Sequence, residues 1–244
     1  MVKNALIVTS IAMASFVQGD VISWNWDDWG TVTGADQVAG VVPAAYWTNS
    51  WPDYQTTDLI DSNGNATTLD IGWASFNSWN ISGAPVHPGQ DADGTYNREL
   101  LHGYLNAGPA PWDPPITHTE VSLSEIPYDR YDIIVYFSSD VAGRAGDVSV
   151  GGTTYSFLTV GPGSVNDASG NAVFAQTTDT GAAYTTTANY AVFAGLSGAS
   201  QTATVQMRDD DQWAGIAGIQ IVQVPAPASL ALVGLGLMGA RRRR

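Results

Sequence analysis

In a series of short segments across residues 20–224, apolar side chains recur at every second position, the period of a half-buried strand. Ile22, Trp24 and Trp26 alternate with Ser23 and Asn25. Residues 57–61 and 66–73 form a second pair of strands, with Thr67, Leu69, Ile71 and Trp73 in phase and Asn63-Gly64 between them as a hairpin dipeptide. Residues 117–123 follow the same rule. Residues 131–137 break it: Tyr131-Asp-Ile-Ile-Val-Tyr-Phe137 is apolar at nearly every position, which predicts a central strand buried on both faces. Residues 147–150 and 153–157 flank Gly151-Gly152 as a tight hairpin, and residues 173–177, 190–196, 202–207 and 216–224 complete the set.

Three stretches do not alternate. Residues 38–51 are punctuated by Gly and Pro, and residues 79–94 and 107–115 are polar or proline-broken; these predict loops. Residues 96–105 carry Leu101 with Leu105, and Leu100 with Tyr104, at the i, i+4 spacing of a helical turn. Nine to eleven short strands and almost no helix predict an all-β fold, an antiparallel β-sandwich of jelly-roll type. No repeat of the period that marks solenoids or propellers is present.

The two ends differ from this middle. Lys3 precedes an apolar run over residues 5–17, and Ala12-Met13-Ala14 and Val17-Gln18-Gly19 supply small residues for cleavage, so residues 1–19 predict a signal peptide. Residues 20–224 are the sandwich. Residues 225–244 have three parts in order: a hinge holding Pro225, Ala226 and Pro227, an uncharged apolar run over 230–240, and Arg241, Arg242, Arg243 and Arg244. An apolar helix is what a bilayer core accepts, and terminal arginines are retained on the cytoplasmic side. The run is shorter than the roughly 20 residues of a stable span, which suits a temporary anchor. The last strand meets Pro225 with no linker, so a tethered sandwich would present any binding face at its far end.

This tripartite tail resembles the PEP-CTERM sorting signal of exosortase substrates, with Pro225-Ala226-Pro227 standing where that family has Pro-Glu-Pro. The resemblance implies export past signal peptidase, transient retention in the inner membrane, cleavage near the motif by exosortase, and release to the cell surface or extracellular matrix of a Gram-negative-type bacterium. Residues 117–222 also resemble the galactose-binding-like and carbohydrate-binding sandwich modules of surface proteins. That likeness rests on Gly103-Tyr-Leu105, Glu125-Ile-Pro127, the 131–136 strand, the Val-Gly-Gly-Thr hairpin and Ala217-Gly-Ile-Gln-Ile221.

Charge narrows the partners. All 23 acids fall within residues 20–224, against Arg98, Arg130, Arg144 and Arg208, a formal charge of −19 for that region. Such a surface repels phosphate backbones, so nucleic acid is excluded as a partner, while carboxylate oxygens suit calcium. There is no cysteine, which excludes a thiol nucleophile and a zinc–thiolate site. His87, His102 and His118 have no metal-ligand spacing, and the lone Lys3 leaves no phosphate loop.

Candidate chemistry lies in the aromatic residues and in one acidic run. Of nine tryptophans, Trp24, Trp26 and Trp73 are in phase with core positions. Trp29, Trp51, Trp79, Trp112 and Trp213 fall beside polar or loop residues, where a ring can stack on a sugar's apolar face while its neighbours take the hydroxyls; the competing reading is that they cap the sandwich. Asp209-Asp210-Asp211 precedes Trp213, and Asp209 and Asp211 would share one side as calcium ligands; a solvated acidic loop is the plainer account. Asp61-x-Asn63-x-Asn65 and Asp91-x-Asp93-Gly94 partly match calcium loops but lack the later ligands and predict turns. No catalytic motif is present. The residues point to an exported, non-enzymatic glycan-binding protein, with calcium as the one cofactor to test. A polysaccharide hydrolase or lyase using Asp/Glu pairs, and a purely structural matrix or adhesion protein, are the alternatives.

Overall fold

The strand over Tyr131–Ser139 lies in the middle of the molecule and is buried on both faces, as its unbroken apolar run predicts. Tyr131, Ile133, Val135 and Phe137 point into one core; Ile134 and Tyr136 point into a second. The computed structural model describes residues 19–27, 32, 34–49, 53–81, 89–107, 118–161, 169–208 and 213–225. The expected signal peptide, the hinge residues Ala226 and Pro227, the apolar run and the four arginines lie outside them. Among the described residues no helix is long and apolar enough to cross a membrane.

The elements in order are β1 (Val21–Asn25), β2 (Thr48–Asn49), β3 (Gln55–Thr56), β4 (Asp70–Ala74), β5 (Asn77–Asn80), α1 (Asn97–Leu100), β6 (Gly103–Asn106), β7 (His118–Ser124), β8 (Tyr131–Ser139), β9 (Ala145–Val150), β10 (Thr153–Thr159), β11 (Gln176–Thr177), β12 (Thr187–Ala188), β13 (Tyr190–Leu196), β14 (Gln201–Met207) and β15 (Ala214–Gln223). One sheet runs β11-β13-β8-β15-β1-β2 and the other β12-β10-β9-β14-β7-β4-β3, with β5 and β6 paired separately. The long pairings are antiparallel. The three parallel ones, β1 with β2, β10 with β12 and β11 with β13, each involve a two-residue strand at a sheet edge. Edges this short offer little unpaired backbone to another chain.

The inner faces of both sheets enclose the main core, where Phe137 stacks on Phe157 with ring centroids 4.1 Å apart. The outer face of the β8 sheet is covered by further chain, not water: Val32, Trp47, Ile81, Leu100, Leu101 and Tyr104 form the second core with Ile134 and Tyr136. A buried polar network ties this cover down. The Tyr136 hydroxyl donates to Gln220 Oε1, and Gln220 Nε2 donates to the Val42 carbonyl at 2.8 Å.

Several sequence expectations change. Residues 66–73 pair as a strand only from Asp70, in β4, and residues 173–177 only over β11. Residues 57–61 are not a continuous strand; their ladder pairing consists of isolated bridges from Ile60 to Ala66 and from Asp61 to Ile22. Residues 79–94 begin in a strand, β5, not in a loop. Residues 96–105 are helical only over α1 and then extended as β6. Gly103 is the reason for the switch: a Cβ there would stand 2.5 Å from the Trp26 carbonyl oxygen, an approach only glycine allows, and it draws the chain against β1 and into extended pairing with β5. The two calcium-like loops are turns. Asp61 Oδ1 accepts from the backbone of Asn63 and Asn65, and Asp91 Oδ2 accepts from the Arg98 backbone and Thr95 Oγ1.

Candidate aromatic cleft

The β5–β6 pair builds the wall of a cleft of about 380 Å³. Its register sets Trp79 opposite Tyr104 and Asn77 opposite Asn106. Side chains two apart on a strand share a face, so two aromatic rings and two amides stand together there. Asn106 Nδ2 donates to Asn77 Oδ1 at 2.8 Å. Asn106 Oδ1, in a residue only 1% exposed, has no partner. Trp79 is 48% exposed, unusual for a large ring in a paired strand. Phe76, just before β5, and Asp140, just after β8, complete this side.

Trp213 forms the opposite wall, 6.1 Å from Phe76 between ring centroids. It sits at the head of β15 with φ of +63°, a left-handed conformation that a bulky residue adopts only when its surroundings impose it. Those surroundings are visible. The Trp213 N–H donates to the Ala107 carbonyl at 2.8 Å, joining β15 to the end of β6. Its own carbonyl accepts three bonds: from Ser139 Oγ at 2.7 Å, Arg144 Nη1 at 2.9 Å and the Tyr104 hydroxyl at 3.2 Å. The same Arg144 nitrogen reaches Asp140 Oδ1 at 3.2 Å. Burial, with the Asp140 charge adding to it, pushes the Tyr104 hydroxyl well above its ordinary value, so it stays a donor.

Of the five tryptophans singled out in the sequence, Trp79 and Trp213 are thus brought to one cleft, whereas Trp29, Trp51 and Trp112 lie outside the described residues. Asp209 and Asp211 also lie outside them, immediately before Trp213 in the chain. Among the described residues no group of three acids or histidines is placed to hold a metal. Phe76, Asn77, Tyr104, Asn106 and Asp140 were not legible as site residues. Their only sequence signal is the two-residue alternation of β5 and β6, hidden by the neighbouring loop and helix patterns.

The cleft opens beside Trp213, immediately before β15, and Pro225 lies two residues past the end of that strand. At about 3.3 Å per residue, a ten-residue strand separates them by roughly 30 Å.

A second cluster joins α1 to the residues packed against it. His102 Nδ1 is 2.8 Å from Asp27 Oδ2, and Asp27, His102 and Glu99 are all buried. Burial, followed by the Asp27 charge, raises Glu99 to about 7, with His102 and Arg98 acting in the other direction.

Residues 223–244 match the PEP-CTERM protein-sorting motif. The motif marks the chain for export, a C-terminal membrane anchor before processing, and handling by exosortase. No curated protein matches the chain.

Proposed function

We propose that this exosortase-sorted protein is a non-enzymatic glycan-binding protein of the cell surface or extracellular matrix, and that the cleft between Trp79 and Trp213 is its binding site. The observation that carries the reading is the convergence, from positions 134 residues apart, of two tryptophans with Phe76 and Tyr104 around Asn77, Asn106 and Asp140. Aromatic faces take the apolar face of a pyranose, and a few fixed amide and carboxylate groups take its hydroxyls. The hydrogen bond from Asn106 to Asn77 holds the two amides in place at the site, and an amide group can both donate to and accept from a sugar hydroxyl. The sequence resemblance of residues 117–222 to galactose-binding-like modules is a further motive for this reading.

Hydrolysis needs two carboxylates about 5–9 Å apart across the scissile bond. Asp140 in the cleft is already engaged by Arg144, which suits a fixed acceptor for a hydroxyl more than a free general acid or base. The cleft's position at the end of the sandwich away from Pro225 favours a ligand that lies outside the membrane, whether the protein is tethered or released.

The test is a glycan array probed with the exported protein, with and without calcium, beside Trp79→Ala. Binding that the substitution reduces about tenfold supports the site. Failure of the unaltered protein to bind any polysaccharide in either condition would refute the reading.

A further inference from the structure

The cleft is not the only exposed aromatic surface. Tyr54 is 71% exposed, the most open large ring among the described residues, and lies over Trp73 with centroids 4.7 Å apart and planes inclined at 35°. Trp73 is fixed from behind. Its Nε1 donates to the Asp53 carbonyl at 3.1 Å, and its ring meets the buried Trp26 edge-on at 4.5 Å. Main-core packing explains Trp73. It leaves the outer face of Tyr54 unexplained, a ring held in place by backbone pairing of β3 with β4 and turned to solvent.

This stack and the cleft are built on one piece of chain. Trp73 is in β4, Phe76 follows three residues later at the cleft, and Trp79 six residues later in β5. Six extended residues reach at most about 20 Å. Trp26 joins the two from the other side: its ring touches Trp73 and its carbonyl lies against Gly103, next to Tyr104 of the cleft wall. The surroundings are polar and acidic, with Asp53 next to Tyr54 and with Asp70 at the start of β4, and arginine is confined to four positions in residues 20–224. A polyanion would be repelled here; an uncharged chain would not.

We propose that Tyr54, backed by Trp73, is a second sugar platform, so that the protein grips an uncharged polysaccharide along its length and does not recognise a single terminal sugar. The inference rests on the glycan reading of the cleft and adds to it the ligand class: a neutral polymer long enough to span both platforms.

The experiment measures binding of the exported protein to neutral disaccharides and hexasaccharides of gluco-, manno-, xylo- and galacto-configured backbones by calorimetry, with alginate as the anionic arm. Tyr54→Ala, Tyr54→Phe and Trp79→Ala are compared, and thermal melts confirm that each is folded. Tyr54→Ala is expected to weaken the hexasaccharide about tenfold and leave the disaccharide unchanged. Tyr54→Phe retains the ring and the affinity. Trp79→Ala weakens both ligands. Hexasaccharide binding that is indifferent to Tyr54→Ala, or tighter binding of alginate than of every neutral chain, overturns the second platform while the cleft reading stands. A protein that binds none of these ligands overturns both.

Discussion

Arg144 holds Trp213 by its backbone: Nη1 donates to the Trp213 carbonyl at 2.9 Å while also pairing with Asp140 at 3.2 Å. The arginine therefore fixes one wall of the cleft and neutralises an acid within it, without stacking on anything. Trp213 could not keep its left-handed φ unaided, and Ser139 and Tyr104 share the work. Arg144→Met is expected to lower stability by about 1–2 kcal/mol, since a charged hydrogen bond is lost at a half-buried site and two donors remain. Affinity for a cleft ligand should fall severalfold, and near-ultraviolet circular dichroism should show a change in the Trp213 environment. Unchanged affinity would show that Trp213 needs no clamp.

The buried acid of α1 makes stability depend on pH. Glu99 is raised from 4.5 to about 7, so between these values the folded protein holds a proton that the unfolded chain releases. Stability from this group is full below about 4.5, falls as pH rises through the window, and levels off above about 7. Glu99→Gln removes that fall. Urea unfolding at a series of pH values reads it as the difference between the two proteins, since Asp91, raised mainly by burial, adds a similar slope to both.

Gly215 brings β15 against β6, and a Cβ there would overlap the Leu105 carbonyl oxygen. Gly215→Ala is expected to cost about 1–3 kcal/mol through overpacking, with a lower midpoint in thermal unfolding and a weakened cleft. An unaltered midpoint would mean that the β6–β15 approach relaxes freely.

The sorting tail predicts the mature C-terminus. If exosortase accepts Pro225-Ala226-Pro227 in place of Pro-Glu-Pro, mass spectrometry of the surface form ends near these residues and lacks Arg241 to Arg244. Detection of the arginine cluster on the surface form would show a protein that remains tethered. Ala226→Glu is expected to raise the processed fraction.

Much of the scaffold was legible because strand periodicity is local. Ile133, Val135 and Phe137 announce one buried face, and Ile134 and Tyr136 announce another, within seven residues of sequence. The Gly151-Gly152 hairpin appears as written, with both glycines at positive φ. The failures share a cause. The spacing of Leu100, Leu101, Tyr104 and Leu105 fits a helix, yet Gly103 meets Trp26 across the molecule and turns the second half into a strand. A contact 77 residues distant overrode a local preference.

The same division separates destination from site. Sequence alone determined that the protein is marked for export and exosortase sorting, because the tail is a contiguous signal, and that it is a sandwich of short strands, because alternation is a property of neighbours. Only the tertiary structure decided which tryptophans meet. Trp79 faces Tyr104 because β5 pairs with β6 in one register, and Trp213 joins them through a hydrogen bond spanning 109 residues. Pairing between distant strands depends on the packing of the whole core, so beyond Trp79 and Trp213 the sequence does not mark which residues meet in the cleft or in the Asp27–His102–Glu99 cluster.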